Sequence, residues 1–162
     1  MTDATTVTRS IVVDAPVDRA FNVFTEDIGS WWPPEHHIIQ SMSHMVFEPK
    51  VGGHIYDVAT DGNECHWSRV LAYEPPSRLV FTWDITTQWQ IETDPAKTSE
   101  VEVRFVPMGA GRTRVELEHR HIDRHGEGWE GMRDAVGSPE GWGVGLRNFA
   151  QRLQNEKVGG SA

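Results

Sequence analysis

Three pieces of chain decide the fold: the run Val101-Glu102-Val103-Arg104-Phe105, a turn over Met108 to Arg112, and the return Arg114-Val115-Glu116-Leu117-Glu118-His119-Arg120-His121. Apolar and charged residues alternate on both arms, the period-two pattern of strands with one buried face. Such a hairpin needs an apolar partner laid across its inner side. The chain supplies one: Trp142, Leu146, Phe149 and Leu153 recur at helical spacing behind Ser138, a good N-cap, and Pro139 in the first turn. Gly141, Gly143 and Gly145 crowd the start of this helix. Each costs about 1 kcal/mol relative to Ala in a helix interior, so together they predict a frayed start, a bend, or close approach of another segment to the backbone. The segments Glu127 to Glu130 and Asp134 to Glu140 read as a solvated lid before the helix.

Upstream, strand follows strand. Met45 to Glu48, His54 to Ala59, Glu64 to Glu74 and Arg78 to Ile85 are separated by Val51-Gly52-Gly53, Thr60-Asp61-Gly62-Asn63 and Pro75-Pro76-Ser77. Thr86 to Ser99 has no clear period and reads as a long loop, a candidate functional lip. At the front, Thr6 to Asp14 is a strand with Val7, Ile11 and Val13 on one face. Val17, Ala20, Phe21 and Phe24 then form a short helical stripe. Gly29 and Pro33-Pro34 end it, leaving Trp31 to His37 as a loop or a second short helix. The order predicts an α+β helix-grip fold: a curved antiparallel sheet wrapped around a long C-terminal helix, with two short helices after the first strand. One domain over residues 6–156 is expected, with flexible ends at 1–5 and 157–162.

Composition narrows the function. Lys plus Arg is 15 against 24 Asp plus Glu, a net charge of −9. That balance argues against general nucleic-acid binding and against docking on an anionic membrane. Cys65 is the sole cysteine, so there is no internal disulfide and no CxxC metal knuckle. With no export signal, a cytoplasmic location is expected. Seven Trp against two Tyr is the unusual feature. Large indole faces suit the wall of a pocket and also suit ordinary packing.

The chain resembles the helix-grip superfamily of START and polyketide-cyclase-like (SRPBCC) proteins. Within it, the resemblance is to the family named after the C-terminal domain of the activator of the Hsp90 ATPase. It is carried by Ile11-Val12-Val13-Asp14-Ala15-Pro16 leading into Ala20 to Phe24, Trp31-Trp32, Phe47-Glu48-Pro49-Lys50-Val51-Gly52-Gly53, Glu74-Pro75-Pro76-Ser77-Arg78-Leu79-Val80-Phe81-Thr82-Trp83, and Gly141-Trp142. The resemblance implies a cavity for a hydrophobic or aromatic small molecule. In the eukaryotic co-chaperone a separate N-terminal region carries much of the chaperone contact; nothing in this sequence matches it, and contact with an Hsp90-type chaperone is not expected.

Candidate ligand-binding residues are Trp32, Phe81, Trp83, His119, His121, Trp142 and Leu146. His119 and His121 continue the register of Val115 and Leu117, which points both imidazoles inward unless the strand has by then emerged into solvent. Inward histidines would hydrogen-bond a ligand, act as acid or base, or supply two ligands of a metal, for which the surrounding spacing does not fit. Of Trp31 and Trp32, one is expected in the core and the other at the cavity mouth. On Glu64 to Glu74, Cys65, Trp67, Arg69, Leu71 and Tyr73 share one face. Whether Arg69 is a buried cation that holds a ligand anion or a solvated residue is open. No GxSxG, P-loop, GxGxxG or HExxH pattern occurs, and neither a metal nor a cofactor is implied; His36 and His37 are a poor pair for one ion. Three functional classes follow: a small-molecule binding protein, a cyclase- or hydrolase-like enzyme using cavity histidines, and a co-chaperone-like interaction module. A homodimer is left open.

Overall fold

A computed structural model describes residues 5–33, 42–109 and 111–160. The chain opens with β1 (Val7–Val13), α1 (Val17–Thr25) and α2 (Ile28–Trp31). Six strands follow: β2 (Met42–Phe47), β3 (His54–Ala59), β4 (Glu64–Glu74), β5 (Arg78–Trp83), β6 (Ser99–Pro107) and β7 (Thr113–Arg120). The end of the chain is helical, with α3 (Trp129–Gly137), a wide turn over Pro139–Gly143, and α4 (Val144–Gly160). The seven strands form one antiparallel sheet in the order β1-β7-β6-β5-β4-β3-β2. The first strand therefore pairs with the last, Val7 opposite His119 and Val13 opposite Thr113. Among the described residues no helix is long and apolar enough to cross a membrane.

Alternation sorts the residues of the sheet by face. Leu79, Phe81, Val101, Val103, Phe105, Val115 and Leu117 turn inward and are buried against Phe21 and Phe24 of α1 and Leu146, Phe149 and Leu153 of α4. The helix grip expected from the hairpin and the C-terminal stripe is thus the observed architecture. Phe24 sits at its centre, with ring centroids 4.8 Å from Trp31, 5.5 Å from Phe105 and 5.3 Å from Phe149. On the outer face burial works against ionisation of Glu102, yet the guanidiniums of Arg78, Arg104 and Arg120 hold its carboxyl at about 2. That buried carboxylate ties β5, β6 and β7 together from outside.

The last third departs from expectation in two places. The segment read as a solvated lid contains α3, which buries Met132 and Val136. Their i, i+4 spacing is a short stripe, masked in the sequence by four glycines between Gly126 and Gly137. Ser138 does not cap the final helix; its Oγ donates instead to the carbonyl of Ala135, closing the end of α3. The final helix runs from Val144 to Gly160.

The glycine-rich start of the last helix has a specific cause. Gly141 (φ −92°, ψ −117°) breaks the helical path between α3 and α4. A Cβ there would lie 2.4 Å from both the Ala135 and Val136 carbonyl oxygens, so α3 packs onto bare backbone. A methyl cannot be accommodated without shifting one helix. Gly141→Ala is expected to cost about 1–3 kcal/mol, lowering Tm by about 2–4 °C per kcal/mol. In Gly143→Ala the new methyl would meet nothing nearer than 3.4 Å, so its melting point should stay close to wild type in the same calorimetric scan.

Candidate functional site

The inner faces of β4, β5 and β7 converge with the turn preceding α4 on one aromatic cluster. Trp32 leaves the end of α2, Trp67 comes from β4, Trp83 ends β5 and Trp142 lies in the wide turn. Trp32 is 5.0 Å from Trp67, 6.5 Å from Trp83 and 5.8 Å from Trp142 between ring centroids. Trp83 lies 5.8 Å from Trp67, 5.7 Å from Trp142 and 5.3 Å from His119. Most of these contacts are tilted or edge-to-face, the geometry aromatic quadrupoles favour.

His119 is the polar centre of the cluster. Alternation along β7 carries it inward, opposite Val101 on one side and Val7 on the other, and it is fully buried. Trp142 Nε1 donates to His119 Nδ1 at 3.1 Å. His119 Nε2 is 2.7 Å from Ser99 Oγ, and the same hydroxyl is 2.7 Å from His125 Nε2. Burial, and secondarily the neighbouring His125, push His119 from its ordinary 6.5 down to about 3. Burial also lowers His125, against the pull of Glu92 and Asp84.

His121, expected to point inward, does not. The strand ends at Arg120, and His121 takes a left-handed backbone (φ 61°, ψ 35°) at the entry to a 3-10 turn over Ile122–His125. The Ile122 amide is bonded to the Thr5 carbonyl, so alternation stops one residue early and the His121 ring is exposed. Residues three apart eclipse one another in a 3-10 turn. Ile122 and His125 therefore share the buried side. His125 was not among the candidates; its one sequence signal is this spacing after the strand end. Ser99 was read as the end of a loop, but it opens β6 and pairs with Trp83.

The other candidates sort as follows. Phe81 reaches the cluster through Trp67, at 6.4 Å. Leu146 is buried on α4, one turn beyond Trp142. Trp31 belongs to the core, its Nε1 donating to the Val23 carbonyl, while Trp32 joins the cluster. The open question of the β4 faces is answered by a bulge opposite Ile55 and Tyr56, which breaks the alternation so that Trp67 and Ser68 are both buried. Arg69 is half-buried, and it is already paired: Nε and Nη2 donate to the two oxygens of Asp84 at 3.0 and 3.2 Å, and Nη2 to Thr98 Oγ1. It is not an idle cation for a ligand. Cys65 is buried and its thiol is pushed up by burial and by Asp57, the opposite of an activated nucleophile. No group of three or more metal-ligating side chains occurs among the described residues; His36 and His37 lie outside them.

Three polar atoms on this inner side are buried with no hydrogen-bond partner among the described residues: Trp83 Nε1, Ser68 Oγ and His125 Nδ1. Buried donors rarely stay unpaired in folded proteins.

The sheet, the gripped helix and the aromatic interior define a helix-grip protein of the polyketide-cyclase-like type. The chain belongs to the family of activator of Hsp90 ATPase homolog 1-like proteins, whose model matches residues 14–154. Txn09, an anthrahydroquino-γ-pyrone synthase solved as a complex, is 41% identical over 93% of this chain and 99% of its own, with a TM-score of 0.65. CalC, a self-sacrificing resistance protein from Micromonospora echinospora, is 29% identical over 95% of this chain and 97% of its own, with a TM-score of 0.66. The protein NE0264 of Nitrosomonas europaea shares the fold at 20% identity, covering 98% of this chain and 99% of its own, with a TM-score of 0.71. No curated protein matches the sequence.

The neutral His119 gives the fold a pH dependence of definite sign. Above pH 6.5 folded and unfolded chains both hold this imidazole neutral. Below it the unfolded chain takes up a proton that the folded chain refuses until about pH 3, so stability falls with pH across that window. At 1.36 kcal/mol per pH unit the loss from His119 alone is about 2 kcal/mol between pH 6.5 and 5. Denaturant unfolding at those two pH values checks it, and His119→Gln should flatten the slope whatever its own stability.

Proposed function

We propose that the interior binds a flat, oxygen-bearing aromatic molecule among Trp32, Trp67, Trp83, Trp142 and His119. One observation carries this reading: four indoles cluster together, two of them, Trp83 and Trp142, against a neutral imidazole, and inside this apolar setting the Trp83 N–H has no acceptor among the described residues. Fused aromatic rings would stack on or edge against the indoles, and their carbonyl or phenolic oxygens would take the free donors. Phe81 and Leu146 would back the aromatic wall. His121, outside the cluster, has no part in it.

Ligand binding is tested with 1,8-dihydroxyanthraquinone followed by calorimetry and by melting temperature. Saturable one-to-one binding is expected. At a hundred times Kd it would stabilise the fold by about 2.7 kcal/mol. Trp83→Phe, which keeps the ring bulk and loses the N–H, should weaken binding. Heat and melting point unchanged by the probe would overturn the reading.

A catalytic reading is favoured by one observation, the 41% identity with a synthase that covers nearly all of both chains. In this reading the interior holds an anthrahydroquinone bearing a 1,3-diketone side chain so that a phenolic hydroxyl adds to the side-chain ketone and water leaves, closing the pyrone ring, with positioning supplying much of the rate. Chromatography of such a precursor after incubation tests it. Product formed only with protein supports turnover; unchanged precursor that nevertheless binds would leave a binding protein.

A further inference from the structure

The hydrogen bonds around His119 run in one direction. An indole N–H is a donor and never an acceptor. Trp142 Nε1 therefore fixes His119 Nδ1 as the bare, accepting nitrogen. A neutral imidazole with Nδ1 bare carries its proton on Nε2, which donates to Ser99 Oγ at 2.7 Å. The Ser99 hydroxyl, having accepted, passes its own hydrogen to His125 Nε2 at 2.7 Å. That nitrogen is then the acceptor, and the proton of neutral His125 is placed on Nδ1. His125 is only 8% exposed, and its Nδ1 has no partner among the described residues. The nearby Asp84 carboxylate is held through both oxygens by Arg69.

The position of His125 suits a contact with a bound molecule. The chain just after it is tied to the turn Thr86 to Gln90, where the Thr86 amide bonds to the Gln90 carbonyl. Thr87 Oγ1 pins that turn to the Glu127 carbonyl, two residues beyond His125. Trp89, 46% exposed, stands at the tip of the same turn.

We infer that His125 is a ligand-orienting residue: the Trp142–His119–Ser99 chain sets its tautomer so that Nδ1–H is presented to a carbonyl or phenolic oxygen of the bound aromatic molecule. This rests on the interior being a ligand chamber, and adds to it a specific donor and the oxygen class it selects. Ser99 and His119 are positioning residues in this scheme. The chain of bonds lets a donor-only indole at the root of α4 dictate which nitrogen is protonated at the far end.

Two measurements test it. Nitrogen-15 spectra of ring-labelled protein should place the proton of His125 on Nδ1 and that of His119 on Nε2, and Ser99→Ala should let His125 exchange between tautomers. The second measurement compares 9-fluorenone, whose one oxygen only accepts, with fluorene, which has none. Wild type should prefer fluorenone, and His125→Phe should lose about tenfold in fluorenone affinity while fluorene is unmoved. Ser99→Ala, which keeps the imidazole, should show a smaller loss and serves if His125→Phe fails to fold. A proton on Nε2 of His125 overturns the inference. So does equal affinity for the two probes, a fluorenone affinity unmoved by the variants, or no fluorenone binding in a protein that takes up 1,8-dihydroxyanthraquinone. If wild type binds none of the three compounds, the chamber reading fails and this inference falls with it.

Discussion

Trp142 Nε1 donates to His119 Nδ1 across 3.1 Å, and through this bond the turn that launches α4 is fastened to the inner face of β7. Both partners are buried, so breaking it would strand a donor and an acceptor away from water, which costs more than the bond is worth when made. The bond also requires the turn to sit close against the preceding helix. Gly141 permits that by offering bare backbone where a side chain would strike two carbonyls. Helix placement, imidazole tautomer and the shape of the aromatic cluster therefore share one origin.

The two faces of the sheet do different work. The outer face carries the charge, with Glu102 buried beneath Arg78, Arg104 and Arg120 and further carboxylates around them. Around His119 the inner face carries rings and neutral polar atoms. Strict alternation along β6 and β7 keeps the two chemistries apart, placing Glu102 outside and Val101 and Val103 inside within three consecutive residues. The neutral imidazoles of His119 and His125 on this side suit an uncharged aromatic guest better than an anion.

The helix grip was legible because long-range packing here follows from local period: the hairpin at 101–118 and the stripe Trp142, Leu146, Phe149, Leu153 each announce a buried face. Trp83, His119 and Trp142 could be placed together for the same reason, whereas period could not decide which of Trp31 and Trp32 joins them. His121 could not, since alternation is trustworthy only while the strand lasts, and a left-handed residue ends it without a glycine or proline to mark the place. The bulge in β4 hides in the same way, so the faces of Trp67, Ser68 and Arg69 could not be assigned from spacing. His125 is invisible to any two-residue period because it turns inward from a 3-10 turn. Helix α3 was missed because glycines, poor helix formers, stand within it at Gly131 and at its end at Gly137, and tertiary burial of Met132 and Val136 outweighs that propensity.

The crowding of indoles has an optical consequence. Four tryptophans whose ring centroids lie between 5.0 and 6.5 Å apart are close enough for their transitions to mix rather than absorb independently. Their signals overlap the peptide region of the circular dichroism spectrum, so a secondary-structure content read from that spectrum would misstate the helix and sheet of this protein. The same mixing ties the bands to the mutual angles of the rings, making the spectrum a gauge of cluster geometry.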